Sequence, residues 1–249
     1  MSFKDFWTNE NNPILEQSEY MYGTRHLLIL LCVTILAVML SIIFSSKSKK
    51  SQQILLYVLA GILLFFEISI RIVNLIVISE YSFKNIATII LPREICSIMV
   101  WVFIITIFTK KQVLYNFSVI GGLLATVIFL LYPAVGLNRT YMSFACIYSV
   151  VSHMIAFIYG VLMLSFGLVR FEFNKIWHIY LCFVIMFLWG VLLDFVIFPG
   201  ENYMYLINDP LQLNVKVPYQ IIYGIALVIY VAIYYIVSYL KLKIIKNKR

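Results

Sequence analysis

Apolar residues along this chain fall into long unbroken runs, separated by short clusters of polar and charged residues. The runs lie near 26–44, 53–78, 86–108, 112–132, 141–167, 176–198 and 217–240, each close to or above the roughly 20 residues with which an α-helix crosses a bilayer. A backbone inside lipid must satisfy its own hydrogen bonds, so the pattern predicts an all-α polytopic membrane protein folded as a seven-transmembrane-helix bundle. Runs of this length exclude a transmembrane barrel, whose strands alternate apolar and polar positions. The connectors leave no room for a soluble domain, and no repeat of about 20–50 residues is visible. The chain divides into an extracytoplasmic N-terminal segment (1–25), the seven-helix domain (26–240) and a basic cytoplasmic tail (241–249). No small-residue cleavage motif follows the first run, which therefore reads as an uncleaved span.

Composition strengthens this picture: 63% of residues are hydrophobic and 12% charged, too little polar surface for a water-soluble fold. The net charge of +8 would suggest nucleic acid in a soluble protein. Here the basic residues gather at the ends of runs, as in Lys47, Lys49 and Lys50 and again in Lys241, Lys243, Lys246, Lys248 and Arg249. At those places they face anionic headgroups, so the expected partners are membrane lipids and not nucleic acid. Alternate connectors carry 12 Lys and Arg on one side and 5 on the other. The positive-inside rule then puts the chain in the cell membrane with its N-terminus outside and its C-terminus in the cytoplasm. Nothing in the sequence specifies an oligomeric state.

Cys32, Cys96, Cys146 and Cys182 lie in separate runs without metal-ligand spacing, so neither a metal site, a cofactor nor a disulfide framework is expected. The informative residues are the ionisable ones within spans, each of which costs about 2.5–3.5 kcal/mol at a helix centre. Span two carries Glu67, Arg71 and Asn74; span three carries Arg93, Glu94 and Cys96; span five carries His153; span six carries Asp194. His26 begins span one. With a rise of about 1.5 Å per residue, Glu67, Cys96 and His153 share one level near the midplane. His26, Arg93, Asp194 and the Asn202-Tyr203 segment lie above it, which suggests a polar cavity opening outward.

Each of these residues also has a structural reading. Glu67 and Arg71, four apart on one helix face, read as a self-neutralising pair or as part of a four-charge network with Arg93 and Glu94 that binds a headgroup. His153 reads as a helix-bridging hydrogen-bonder, and the cysteines as small packing residues. Cys96 differs in following Pro92, where the helix kinks or begins, and in lying near Arg93, whose charge favours a thiolate. Gly121-Gly122 with Ala125, and Gly160 with Gly167, offer small faces for helix packing.

Taken in order, Phe66-Glu67, Leu91-Pro92 followed by Cys96, Pro133, His153 and Asn202-Tyr203-Met204-Tyr205-Leu206 resemble the YwaF-like integral membrane family. His26, Pro210 and Pro218-Tyr219 extend the resemblance over nearly the whole chain. The resemblance implies a seven-helix fold and relatedness to transmembrane protein 164, an acyltransferase that moves fatty acyl groups between phospholipids. It maps the proposed catalytic Cys and His onto Cys96 and His153. Arg93 and Glu94 stand where the family commonly has Leu and His.

A thiolate attacking a phospholipid ester would form an acyl-thioester, with histidine taking the thiol proton and later activating an acceptor hydroxyl. In this reading Glu67 orients His153 or belongs to the charge network, while Asn74 and Asn202 donate hydrogen bonds to an oxyanion or headgroup. His26, Arg71, Arg93, Glu94, Asp194 and Tyr203 complete the set of orienting or substrate-binding candidates. Two alternatives stand beside it. One is a proton- or cation-coupled transporter or ligand-binding protein using Glu67, Glu94 and Asp194; the other is a structural protein with an inert polar core.

Overall fold

Serines at the starts of apolar runs set several helix ends: Ser48, Ser82 and Ser143 accept the backbone N–H of Ser51, Asn85 and Cys146 through their side chains. Each thereby satisfies one of the donors that a helix start leaves open. The computed structural model describes residues 3–8, 12–78, 81–133, 136–202, 206–207 and 218–247, with side chains as far as Leu240. Its helices are α1 (Phe3–Thr8), α2 (Gln17–Tyr20), α3 (Thr24–Ser45), α4 (Lys49–Val77) and α5 (Phe83–Ile90), followed by α6 (Ile95–Thr109) and α7 (Gln112–Leu131). The remainder are α8 (Phe144–Ser165), α9 (Ile176–Val191), continued by a π-helical turn over Leu192–Ile197, and α10 (Tyr219–Asn247).

Among the described residues six helical segments are long and apolar enough to cross a membrane, and α5 with α6 makes a seventh if the pair, bent by 55°, is one span. The molecule is a multi-pass membrane protein with an all-α bundle fold. Its outer face is lined by exposed leucine, isoleucine, valine and phenylalanine, as lipid-facing helices require. The third run is not a continuous helix. Leu91-Pro92-Arg93-Glu94 interrupts it because proline lacks the N–H that would carry the ladder onward and disfavours a helical residue before it. Trp189 of α9 donates its indole N–H to the Pro92 carbonyl at 2.8 Å, holding one of the backbone groups freed by the break.

α7 is the most enclosed span, its most apolar stretch 67% buried against 11% for α3 and α10. Its small residues allow this. Gly122 lies where any Cβ would collide with the Phe103 ring of α6, and Gly160 of α8 lies against Leu123. Gly167 has a different role from the packing expected of it: it follows the end of α8 at φ +67° with open space around it, and terminates the helix.

The connectors gather at two ends of the bundle. At one, Lys49 reaches the Phe166 carbonyl at 3.0 Å, Gln112 the Leu168 carbonyl at 3.0 Å and Asn116 the Arg170 carbonyl at 2.7 Å. At the other, Ile14 pairs antiparallel with Arg139, the buried Asn12 bonds both backbone groups of Tyr141, and Lys84 pairs with Glu201 at 3.4 Å. The segment before α3 is therefore fitted onto the bundle, with Trp7 of α1 packed on Phe144 at the head of α8. The basic segment beginning at Lys241 continues the helical backbone of α10 to Asn247.

Candidate active site

The break at Pro92 has a local consequence. Restarting the chain as α6 at Ile95 puts Cys96 in the first helical turn, and Glu94, the capping residue, gives its side chain to none of the open N–H groups there. A helix start carries partial positive charge and donors without intrahelical partners.

Cys96 lines a cavity of about 60 Å³ bounded by the start of α6, by Ala125 and Thr126 of α7, and by one face of α8. That face presents Tyr148, Ser149, Ser152 and His153, residues spaced so that each pair four apart stacks along the helix. Glu94 is exposed and also lines the cavity, which puts it at the mouth. The thiol has only a distant contact, 3.9 Å to the Ala125 carbonyl.

His153 lies nine residues into α8, about 14 Å from its start. Its ring stacks on Phe129 with centroids 3.6 Å apart, and its Nδ1 lies 2.6 Å from the Ser149 carbonyl. Because a carbonyl only accepts, Nδ1 carries the proton and Nε2 bears the lone pair of the neutral ring. Nε2 is buried and has no hydrogen-bond partner, as is also true of the Ser152 hydroxyl.

Glu67 lies next to this cavity and not in it. Fully buried on α4, it pairs with Arg71 at 2.6 Å and accepts hydrogen bonds from Ser97 at 2.9 Å and from the Tyr148 hydroxyl. Both hydroxyl donors belong to cavity-lining residues. Glu67 thus supports two walls, while the histidine is held by its own helix and not by this carboxylate. Arg71 also reaches the Ile90 carbonyl at 3.2 Å and lies 5.8 Å from the Trp101 ring centroid, so the pair clamps α4 to both sides of the break.

The other candidates are dispersed. His26, 1% exposed, accepts the Tyr22 N–H on Nδ1 at 2.9 Å and donates from Nε2 to the Leu130 carbonyl at 2.6 Å. Both nitrogens are used, Nδ1 at the start of α3 and Nε2 in joining α3 to the end of α7. Asn74 is half-buried one turn beyond Arg71, and Asp194 is fully buried in the π-helical turn; neither lines the cavity. Arg93 is half-buried in the break beside Glu94. Asn202 accepts the Ile207 N–H at 2.9 Å, and Tyr203 lies outside the described residues. Cys32 is exposed on α3, Cys146 is buried, and Cys182 is half-buried on α9. No group of three metal-ligating side chains occurs among the described residues.

Tyr148 and Ser152, which line the cavity, are not among the site candidates the sequence supplies. Tyr148 has a readable signal, a tyrosine placed a turn inside an apolar run, away from the interfacial position that aromatic anchors occupy. Ser152 has none, since a serine in a membrane helix ordinarily bonds back to its own backbone.

The family profile described as the TMEM164 family matches residues 21–239. No curated protein and no solved structure matches the chain.

Proposed function

Since this chain belongs to the TMEM164 family, we propose that it transfers fatty acyl groups between phospholipids through a thioester on Cys96, with His153 as the general base. The observation that carries this reading is the open Nε2 of His153 in the cavity that Cys96 lines, with Nδ1–H tied to Ser149. That is the tautomer a base requires, held by its own helix and stacked in place.

Proton transfer from the Cys96 thiol to Nε2 would leave a thiolate to attack the ester carbonyl. Collapse of the tetrahedral adduct breaks the ester bond, and the departing lysophospholipid oxygen takes the proton back from Nε2. An acceptor hydroxyl then gives its proton to Nε2, attacks the thioester and releases the thiol. A cavity of about 60 Å³ has room for an ester group and not for a lipid. The acyl chains therefore stay in the bilayer while the carbonyl enters. With the N-terminus outside the cell membrane, the cavity opens toward the outer leaflet past Glu94.

The alternative of cation-coupled transport needs a carboxylate free to exchange its partner; Glu67 is held by three, so that reading would fall to Glu94 at the cavity mouth. The deciding experiment incubates purified protein with acyl-labelled phospholipid. A hydroxylamine-sensitive label should appear on Cys96 and be absent from Cys96→Ser, while replacing Cys32, Cys146 and Cys182 leaves it unchanged. Transfer that persists in Cys96→Ser would remove the thioester step.

A further inference from the structure

Charge that develops on an ester oxygen during thiolate attack must be met by donors aimed at that oxygen, and the side chains discussed so far supply none. His153 is committed to the thiol proton, and the Tyr148 and Ser97 hydroxyls already donate to Glu67. Of the other lining hydroxyls, Thr126 donates back to the Gly122 carbonyl of its own helix, and of the two serines on the α8 wall, Ser149 and Ser152, it is Ser152 whose hydroxyl is buried without a partner. Ser152 is 5% exposed, its Oγ is buried without a hydrogen-bond partner, and it precedes His153 on the wall that faces the start of α6. A buried hydroxyl left unpaired costs stability, and a helical serine has the carbonyl four residues back within easy reach. That Ser152 forgoes this bond leaves its proton available to a guest.

A second set of donors lies across the cavity. The first turn of α6, a helix of 15 residues, has N–H groups without intrahelical partners, no side-chain cap from Glu94, and Cys96 among its own residues. An oxygen on the carbon that Cys96 attacks is two bonds from the Cys96 sulfur, which itself belongs to this turn.

We propose that the Ser152 hydroxyl and the N–H groups of the first turn of α6 form the oxyanion-binding element of the acyl-transfer site, with Ser152 a catalytic residue. The inference rests on the acyl-transfer reading above. As the thiolate adds, the carbonyl π pair moves onto oxygen, which accepts the Ser152 O–H and an α6 N–H. When the adduct collapses the pair returns to the carbonyl, and the hydroxyl keeps its proton throughout. Ser152 is thus distinct from His153, which does exchange a proton.

This division of labour is testable because alkylation of a thiol passes through no oxyanion. Two rates are measured on Cys96 in purified protein: labelling by acyl-labelled phosphatidylcholine under rapid quench, and alkylation by iodoacetamide followed by mass spectrometry of the Cys96 peptide. Ser152→Ala should slow acylation about 100-fold or more, the loss typical of one oxyanion donor. Alkylation should be unchanged, and the melting temperature should not fall, since only an unpaired hydroxyl is removed. Ser152→Thr, which keeps the hydroxyl, should recover part of the acylation rate. Acylation that survives Ser152→Ala, or acylation and alkylation that fall together, would overturn the proposal, the latter because Ser152 would then act on the thiol or the fold. If wild-type Cys96 takes no label at all while alkylating normally, the acyl-transfer reading fails, and this inference with it.

Discussion

Glu67 is a carboxylate with 0% exposure inside an apolar bundle, and its three partners explain how it remains there. Removing one member of a buried ion pair leaves the other charge unsatisfied, at a typical cost of about 3–5 kcal/mol. Glu67→Ala should therefore lower thermal stability in detergent severely. Replacing Glu67 and Arg71 together should cost less than the two single losses combined, and an additive double-mutant cycle would show that the pair is not coupled. Depth along the helices is readable from sequence, so Glu67, Cys96 and His153 can be assigned to one level. Which of them meet is not readable, because that depends on the rotation of each helix. Thus Glu67 has Arg71, the partner its spacing of four predicts, but also Tyr148 and Ser97 from two other helices, while His153 has a carbonyl of its own helix. Hydroxyl residues such as Tyr148 and Ser152 cost little to place in a span, so they leave no imprint on hydropathy.

At the scale of elements, runs of apolar residues mark the spans well because lipid imposes one requirement on all of them; the run at 112–132, for example, is α7 from Gln112 to Leu131. The third run misleads for the same reason, since hydropathy is indifferent to whether a helix continues through Leu91-Pro92 or restarts after it. Close helix approach is the other property that sequence only suggests. Gly122 permits α6 and α7 to meet over the Phe103 ring, which is 0% exposed and lies edge-on to Tyr159 with centroids 4.8 Å apart. Gly122→Ala should cost about 1–3 kcal/mol through overpacking, read as a drop in melting temperature. Adding Phe103→Leu should return part of the loss. If Gly122→Ala melts like the wild type, the α6–α7 contact is looser than described.

For the whole molecule, hydrogen bonds between connectors sort them onto two ends of the bundle, as alternate spans require. Cysteine tags at Ser46 and at Tyr141, in a background without the four natural cysteines, should be reached by an impermeant reagent from opposite faces of the membrane. Labelling of both from one face would contradict the arrangement. The positive-inside asymmetry predicts that the face from which Ser46 is labelled is the cytoplasmic one. One further consequence comes from the elbow between α5 and α6. After it, α6 has 15 residues and spans about 22 Å, short of a hydrocarbon core of about 30 Å. A short span pulls the surrounding leaflet thin or leaves a dimple over its end, a case of hydrophobic mismatch. The dimple would lie above Cys96 and lower the ester linkage of a neighbouring lipid toward the thiol. The proposed acyl transfer, measured in vesicles of increasing chain length, should then be fastest in thin bilayers and decline as they thicken, which would make bilayer thickness a governor of its rate.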